Sequence, residues 1–78
     1  MFYAHSTIPA SSFEDINAAC DFADSSASYT QKNIIITSEE NEVVYFRQWA
    51  GCLDGIGDQD DPIQIGNFGY YADWQNND

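Results

Sequence analysis

The chain has 78 residues and a net charge of −11, with thirteen acidic residues against one lysine and one arginine. This length predicts one domain, spanning residues 1–78, with a thin core and little room for an active-site cavity. The charge argues against direct binding of nucleic acid, because phosphates would be repelled, and the absence of an apolar run of about 18 residues argues against a membrane span.

The N-terminal third predicts a strand followed by one helix. Met1 to Ile8 is short, apolar and aromatic, which favours a first strand or an extended arm. It lacks the basic start and long apolar stretch of a signal peptide, so we expect a cytoplasmic protein. Ser11 and Glu14 then form an S-x-x-E capping box. Apolar residues follow at three- and four-residue steps and predict a helix over about 12–24, with its inner face at Phe13, Ile16, Cys20 and Ala23.

The middle of the chain predicts a β-hairpin over about 33–47. Ile34 to Thr37 and Val43 to Phe46 are both rich in β-branched and aromatic residues. The polar segment Ser38 to Glu42 between them has the length of a hairpin connection. We therefore expect two antiparallel strands.

The last third predicts a loop and one more strand. Arg47 to Leu53 fits either a continued strand or one helical turn, whereas Asp54 to Pro62 is a loop with two glycines and four aspartates. Ile63 to Tyr71 favours a final, bent strand, and Asp73 to Asp78 a polar tail. The predicted fold is α+β, with one amphipathic helix packed on a three- to four-stranded antiparallel sheet, in the order β-α-β-β-β.

Catalysis and metal binding find little support in the residue pattern. His5 is the only histidine, and its spacing from Cys20 and Cys52 indicates no nucleophile–base pair. The aspartates of the loop fail the EF-hand pattern whether it is started at Asp54 or at Asp58, and the loop glycines lack the Lys-Ser/Thr of a phosphate loop. We expect no enzyme activity, no cofactor and no metal site. Both cysteines are expected to be buried thiols without a disulfide.

The acidic residues are the better candidates for a function. They fall in three clusters, 14–24, 39–42 and 54–61, which contain eleven of the thirteen acids and none of the basic residues. Two of them, Asp21 and Asp24, lie near the C-terminal end of the predicted helix, where the helix dipole disfavours an anion. The net charge per unit length is about 60% of that of duplex DNA for a domain roughly 30 Å across. The predicted partner-binding acids are Glu14, Asp15, Asp21, Asp24, Glu39, Glu40, Glu42, Asp54, Asp58, Asp60 and Asp61.

Aromatic residues are concentrated in the second half of the chain. Most of them are expected to serve the core, but Tyr and Trp are also favoured anchors at interfaces and stack on arginine guanidinium groups. We add Trp49, Tyr71 and Trp74 to the predicted partner-binding set. An acidic rim around aromatic anchors suits a basic groove that binds nucleic acid.

In size, charge and its mixture of acidic and aromatic residues, the whole chain resembles the small acidic proteins of phages that block host defences. These are the anti-CRISPR proteins and other DNA mimics, which share no diagnostic motif. The resemblance implies an inhibitor that occupies the basic DNA-binding channel of a CRISPR effector (Cas) complex in place of DNA. It assigns no role to any single residue.

Two other functions stay open at this point. One is an immunity protein or antitoxin that neutralises a basic nuclease or another basic toxin. The other is a non-inhibitory module that binds calcium or a protein. A basic partner is expected for the first as for the DNA mimic, since both would use carboxylates against a cationic site. The oligomeric state of the free protein is left open.

Overall fold

The structure, a computed structural model, describes residues 1–5 and 9–77 and confirms the α+β class. In the described ranges, one α-helix and eight short strands are formed. Their bounds are β1 Phe2–Ala4, β2 Ser11–Phe13, α1 Ile16–Ser25, β3 Ile34–Ser38, β4 Val43–Arg47, β5 Trp49–Ala50, β6 Ile63–Ile65, β7 Gly69–Tyr71 and β8 Gln75–Asn76. A 3₁₀ turn at Ile56–Asp58 lies within the acidic loop. No helix in these ranges is long and apolar enough to cross a membrane.

The strands form two antiparallel sheets rather than the single sheet that we expected. The larger sheet has five strands in the order β2-β1-β3-β4-β8, and the smaller has three in the order β5-β7-β6. The chain passes from one to the other between Arg47 and Trp49. The predicted count of three to four strands was therefore too low, because several strands are only two or three residues long and leave no pattern in the sequence.

Helix α1 begins later than the capping box predicts. Asp15, not Ser11, caps it, and the Asp15 carboxylate accepts a hydrogen bond from the Asn17 backbone N–H at 3.3 Å. Ser11 belongs instead to β2, which pairs with β1 so that Phe13 lies opposite Phe2. Backbone pairing with β1, the preceding strand along the chain, has overridden the helix signal of the capping box.

The core lies between α1 and the larger sheet. The buried face of the helix consists of Ala19, Cys20 and Ala23, which pack against the fully buried Ala4 and Ile36. Small side chains on the helix allow it to approach the sheet closely, and this explains how so short a chain closes a core. Of the four residues predicted to face inward, Cys20 and Ala23 are buried. Phe13 lies on β2 and, like Ile16, is half-buried against the core.

The predicted hairpin is confirmed as β3 and β4. The chain turns at residues 39–42, where Asn41 adopts the left-handed conformation (φ 62°) that asparagine tolerates. The register shifts by one residue between Ile36 and Thr37, which indicates a β-bulge. Ser38 at the end of β3 also lies opposite Phe2, on the other side of β1 from Phe13.

The predicted final strand over 63–71 is wrong, because the chain turns back on itself there. Gly66 has a φ of 53°, and the Phe68 backbone N–H donates to the Ile65 carbonyl at 3.0 Å, which closes a turn between β6 and β7. Gly69 packs so closely on β5 that an added Cβ atom would lie 2.1 Å from the Ala50 carbonyl oxygen. The polar tail also contributes a strand, β8, which pairs with β4.

Candidate functional site: acidic regions and exposed aromatics

Most of the acidic side chains face solvent. Twelve of the thirteen lie in the described part of the chain, and ten of these twelve are exposed. The two exceptions, Asp24 and Asp73, are half-buried. Surface carboxylates thus account for nearly all of the net charge.

The strand register brings two of the three acidic clusters together at one end of the larger sheet. Phe13 and Ser38 flank Phe2 on β1, so the segments that follow them leave the sheet at the same end. We call the acids of these two segments the sheet-end acids: Glu14, Asp15, Glu39, Glu40 and Glu42. They are all exposed.

Few contacts restrain the sheet-end acids. The N-terminal ammonium group of Met1 donates to the Glu39 carboxylate at 2.8 Å, and no other sheet-end acid forms an ion pair within the described ranges. This hydrogen bond and the positive charge behind it lower the pKa of Glu39. Asp15 caps α1, as described above. The remaining carboxylates are free to meet a partner.

The third cluster lies around the 3₁₀ turn: Asp54 precedes the turn, Asp58 is its last residue, and Asp60 and Asp61 lie between it and β6. We call Asp54, Asp58, Asp60 and Asp61 the loop acids; all four are exposed. The backbone N–H groups of Asp60 and Asp61 each donate to the Asp73 carboxylate at 2.8 Å. These two hydrogen bonds lower the pKa of Asp73. The Asp73 backbone N–H in turn donates to the Gln59 side-chain oxygen at 3.1 Å. The loop is therefore fixed at its base by an acid that sequence reasoning left out.

Arg47, at the end of β4, also binds one of the loop acids, Asp61. Its side chain is only 1% exposed. Nε donates to Asp24 Oδ1 at 3.0 Å, Nη1 to the carbonyls of Asp61 (2.8 Å) and Ala72 (3.1 Å), and Nη2 to Asp61 Oδ2 at 3.4 Å. The guanidinium lies 5.3 Å from the centre of the Trp74 ring, and the Trp74 indole N–H donates to Asp24 Oδ1 at 3.0 Å. We call these five residues the Arg47 cluster.

The Arg47 cluster corrects two expectations. The acidic clusters do have a basic counterpart, because Arg47 pairs with one acid of the helix and one of the loop. Asp24 is consequently a structural residue bound to Arg47 and Trp74, not a free helix acid directed at a partner. Its place near the helix C-terminus, which the helix dipole disfavours, is explained by this buried cation. Asp21 on the same helix stays exposed.

Because Arg47 is buried, the charged side chains on the surface are even more predominantly acidic than the composition implies. In the part of the chain that the structure describes, Lys32 is the only exposed basic side chain of the Lys and Arg type. The longest dimension of the fold is 35 Å, somewhat more than expected from the sequence. Eleven net charges over this length correspond to about one per 3.2 Å, close to the roughly 3.4 Å per charge of one B-DNA strand.

The aromatic residues predicted as anchors prove to be largely internal. Tyr71 is completely buried, with its hydroxyl donating to the Ser28 carbonyl at 2.6 Å, so it is not a surface anchor. Trp49 and Trp74 are half-buried, and Trp74 is engaged in the Arg47 cluster. Tyr71 is part of the buried core, and Trp49 and Trp74 pack against it.

Two other aromatic residues take the exposed positions. Phe68 and Tyr29 are 59% and 43% exposed, and their ring centres lie 4.5 Å apart. Tyr29 contacts Trp49 (5.6 Å) and Trp49 contacts Tyr71 (4.8 Å), so four rings run from the surface into the core. We call these four residues the aromatic row. Phe68 lies in a Gly-Asn-Phe-Gly turn, and an aromatic residue at such a turn is the one sequence signal that could have indicated it.

The cysteines do not form a reactive pair. Both are free thiols, but only Cys20 is buried, whereas Cys52 is exposed, which contradicts the expectation that both are buried. Burial raises the pKa of Cys20 to about 11, with Asp24 and Asp21 adding to the effect. Within residues 1–5 and 9–77, no group of three or more His, Cys, Asp or Glu side chains is placed to hold a metal ion.

Comparison with known proteins adds no constraint. No protein-family model matches the chain, and neither a curated protein nor a solved structure matches it significantly. Inference of its function therefore depends on the surface just described.

Proposed function

We propose that this protein is an inhibitor that binds the basic nucleic-acid-binding site of a defence protein, specifically a CRISPR effector complex, and keeps DNA out of it. One observation carries the proposal: ten exposed carboxylates face solvent in the described ranges against one exposed lysine. A surface of this kind repels nucleic acid and attracts the cationic grooves that bind it.

The arrangement of the acids supports an extended contact. Glu39, Glu40 and Glu42 lie just before β4, and the loop acid Asp61 is bound to Arg47 at its end. Five residues of β-strand separate these points by about 13 Å. A basic channel would meet carboxylates at both places, much as it meets successive phosphates along a nucleic-acid strand.

Phe68 and Tyr29 supply the apolar part of such an interface. Rigid, exposed aromatic rings are typical anchors in protein interfaces, and arginine guanidinium groups stack on them. The contact with Trp49 fixes the Tyr29 ring before binding, which reduces the entropy lost on association. These two residues replace Trp49, Tyr71 and Trp74 as the proposed anchors.

The test is competition with DNA for purified CRISPR effector complexes of several types. The protein should displace target DNA in proportion to its concentration, and its association rate should fall steeply as salt rises. Two neutralised variants locate the contact: Glu39→Gln/Glu40→Gln/Glu42→Gln at the sheet end and Asp54→Asn/Asp58→Asn/Asp60→Asn on the loop. Both leave Asp24, Asp61 and Asp73 in place, so the fold is retained.

The matched control is Gln48→Asn/Gln64→Asn, which changes two exposed amides without changing the charge. Loss of competition in either acidic variant but not in the control supports the proposal. If both acidic variants still compete fully, carboxylates do not carry the binding and DNA mimicry is wrong. Tight binding to a basic nuclease toxin, with none to any effector complex, would identify an immunity protein instead.

A further inference from the structure

A pocket lies apart from the acids, between β1, the segment that precedes β3 and the smaller sheet. Its volume is about 390 Å³, within the range of small-molecule sites. It is lined by Tyr71 of the smaller sheet, by His5, which follows β1, and by residues of the segment 27–35. None of the lining residues that belong to the described part of the chain is acidic.

The charge around this pocket differs from that of the rest of the molecule. Fourteen successive residues, from Ser25 to Ser38, contain no acid. Lys32, the exposed lysine, lies among them and lines the pocket. Its ammonium group forms no ion pair within the described ranges, although the chain has a large excess of carboxylates.

Two of the polar side chains that line the pocket, Lys32 and Asn33, retain hydrogen-bond donors without a partner in the described ranges. Tyr71 already donates to the Ser28 carbonyl and lies 3.1 Å from the Thr30 hydroxyl, so these hydroxyls are occupied. The side-chain oxygen of Asn33 accepts from the Trp49 backbone N–H at 2.9 Å, which leaves the Asn33 amide nitrogen as a donor. A ligand that satisfies Lys32 and Asn33 must therefore supply acceptor oxygens.

The charge of the protein and the apolar side of the pocket limit the class of ligand further. One ammonium group balances one negative charge, and the net charge of −11 disfavours a dianion such as phosphate. Ala27, Ile34 and Ile35 form an apolar side of the pocket. We propose that the pocket binds a small organic monocarboxylate, with the carboxylate at Lys32 and Asn33 and an apolar body against this wall.

The test is a titration of ¹⁵N-labelled protein followed by amide chemical shifts. The probes are acetate, benzoate and indole-3-acetate, with benzamide as the uncharged match for benzoate. Benzoate and indole-3-acetate should shift the amides of residues 27–35 and of Tyr71 at concentrations up to about 20 mM, since ligands of this size bind in the roughly millimolar range. Acetate should bind more weakly, because it lacks the apolar body, and benzamide more weakly than benzoate.

Two variants test the named groups. Lys32→Gln should weaken benzoate binding by roughly fivefold to tenfold, whereas Lys32→Arg should retain it. Asn33→Asp keeps the oxygen that accepts from the Trp49 backbone N–H but replaces the donating NH₂ group by a second, negatively charged oxygen. This change should abolish binding of the carboxylates. The proposal is wrong if none of the carboxylates shifts these amides, if benzamide binds as well as benzoate, or if Lys32→Gln leaves the affinity unchanged.

Discussion

The sheet-end acids and the loop acids are alike in sequence but are held in the structure by different means. At the sheet end, carboxylates lie on a turn and at a helix cap, and within residues 1–5 and 9–77 their one ion pair is made with the N-terminal ammonium group. On the loop, the backbone is fixed by Asp73 and by Arg47, which is almost completely buried. The difference shows that a cluster of acids can serve as a free surface or as part of the framework, according to whether a buried cation lies behind it.

The largest expected effect is the loss of Arg47. Arg47→Met removes the cation beside Asp24 and the Arg47 donors to the Ala72 and Asp61 carbonyls, and it should lower the free energy of unfolding by about 3 kcal/mol. Glu40→Gln at the sheet end should change it by less than about 0.5 kcal/mol. Urea unfolding of the two variants beside the parent measures both. Equal midpoints for Arg47→Met and the parent would show that the Arg47 cluster is not structural.

Acid titration should separate the two regions next. The pKa of Asp73 is lowered in the fold, so its contribution to stability is complete above the ordinary aspartate pKa of about 3.9 and is lost as the pH falls through the folded value. The stability gap between the parent and Asp73→Asn should therefore narrow below about pH 4. Unfolding curves of both proteins between pH 7 and pH 3 test this. A gap that stays constant over the whole range would contradict it.

A smaller effect, of the opposite sign, is expected at the sheet end. Glu40→Gln/Glu42→Gln removes two charges that repel their neighbours and have no ion-pair partner within the described ranges. Stability should rise slightly, by less than about 0.5 kcal/mol per site, and the gain should vanish at about 1 M salt, where the Debye length is about 3 Å. Thermal unfolding at low and high salt measures the change. A loss of stability at low salt would mean that these carboxylates also belong to the framework.

Thiol labelling of the two cysteines should show the smallest difference between the loop region held by Arg47 and the sheet end. Cys52 is exposed and should react with a thiol reagent at once, whereas the buried Cys20, with a pKa of about 11, should react only when the helix opens. Because Cys20 shares α1 with Asp24, its labelling should quicken in Arg47→Met and stay slow in Glu40→Gln. Mass spectrometry over time distinguishes one label from two. Immediate double labelling of the parent would contradict the burial of Cys20.

Local signals in the sequence predicted the α+β class, the hairpin and the C-terminal half of the helix, since each depends on residues close together in the chain. The pairing of Ser11–Phe13 with Phe2–Ala4 was missed, because Ser-Ser-Phe is too short to show a strand pattern and the capping-box pattern at Ser11 indicates a helix. The burial of Arg47 was equally hidden. Its partners lie 23 residues before it and 14 and 25 residues after it, and nothing in their spacing brings them together.

The candidate site was also predicted only as far as it depends on composition and local sequence. Exposure of the acids followed from composition, and ten of the eleven predicted partner-binding acids are indeed exposed. The exception is Asp24. Which aromatic residues remain outside depends on how the two sheets meet, so Tyr71 was assigned to the surface and Phe68 was overlooked. Composition therefore describes the charge of this surface well and its apolar anchors poorly.

The positions of the two tryptophans give the protein a built-in optical readout. Trp49 belongs to the aromatic row, in contact with Tyr29, whereas Trp74 lies over the guanidinium of Arg47. Replacing Trp74 by Phe leaves an emission that reports occupation of the exposed rings, and replacing Trp49 by Phe leaves one that reports the state of the ion pair beneath the loop. The two single-tryptophan variants thus allow partner binding and disruption of the Arg47 cluster to be followed separately by intrinsic fluorescence, without an attached dye.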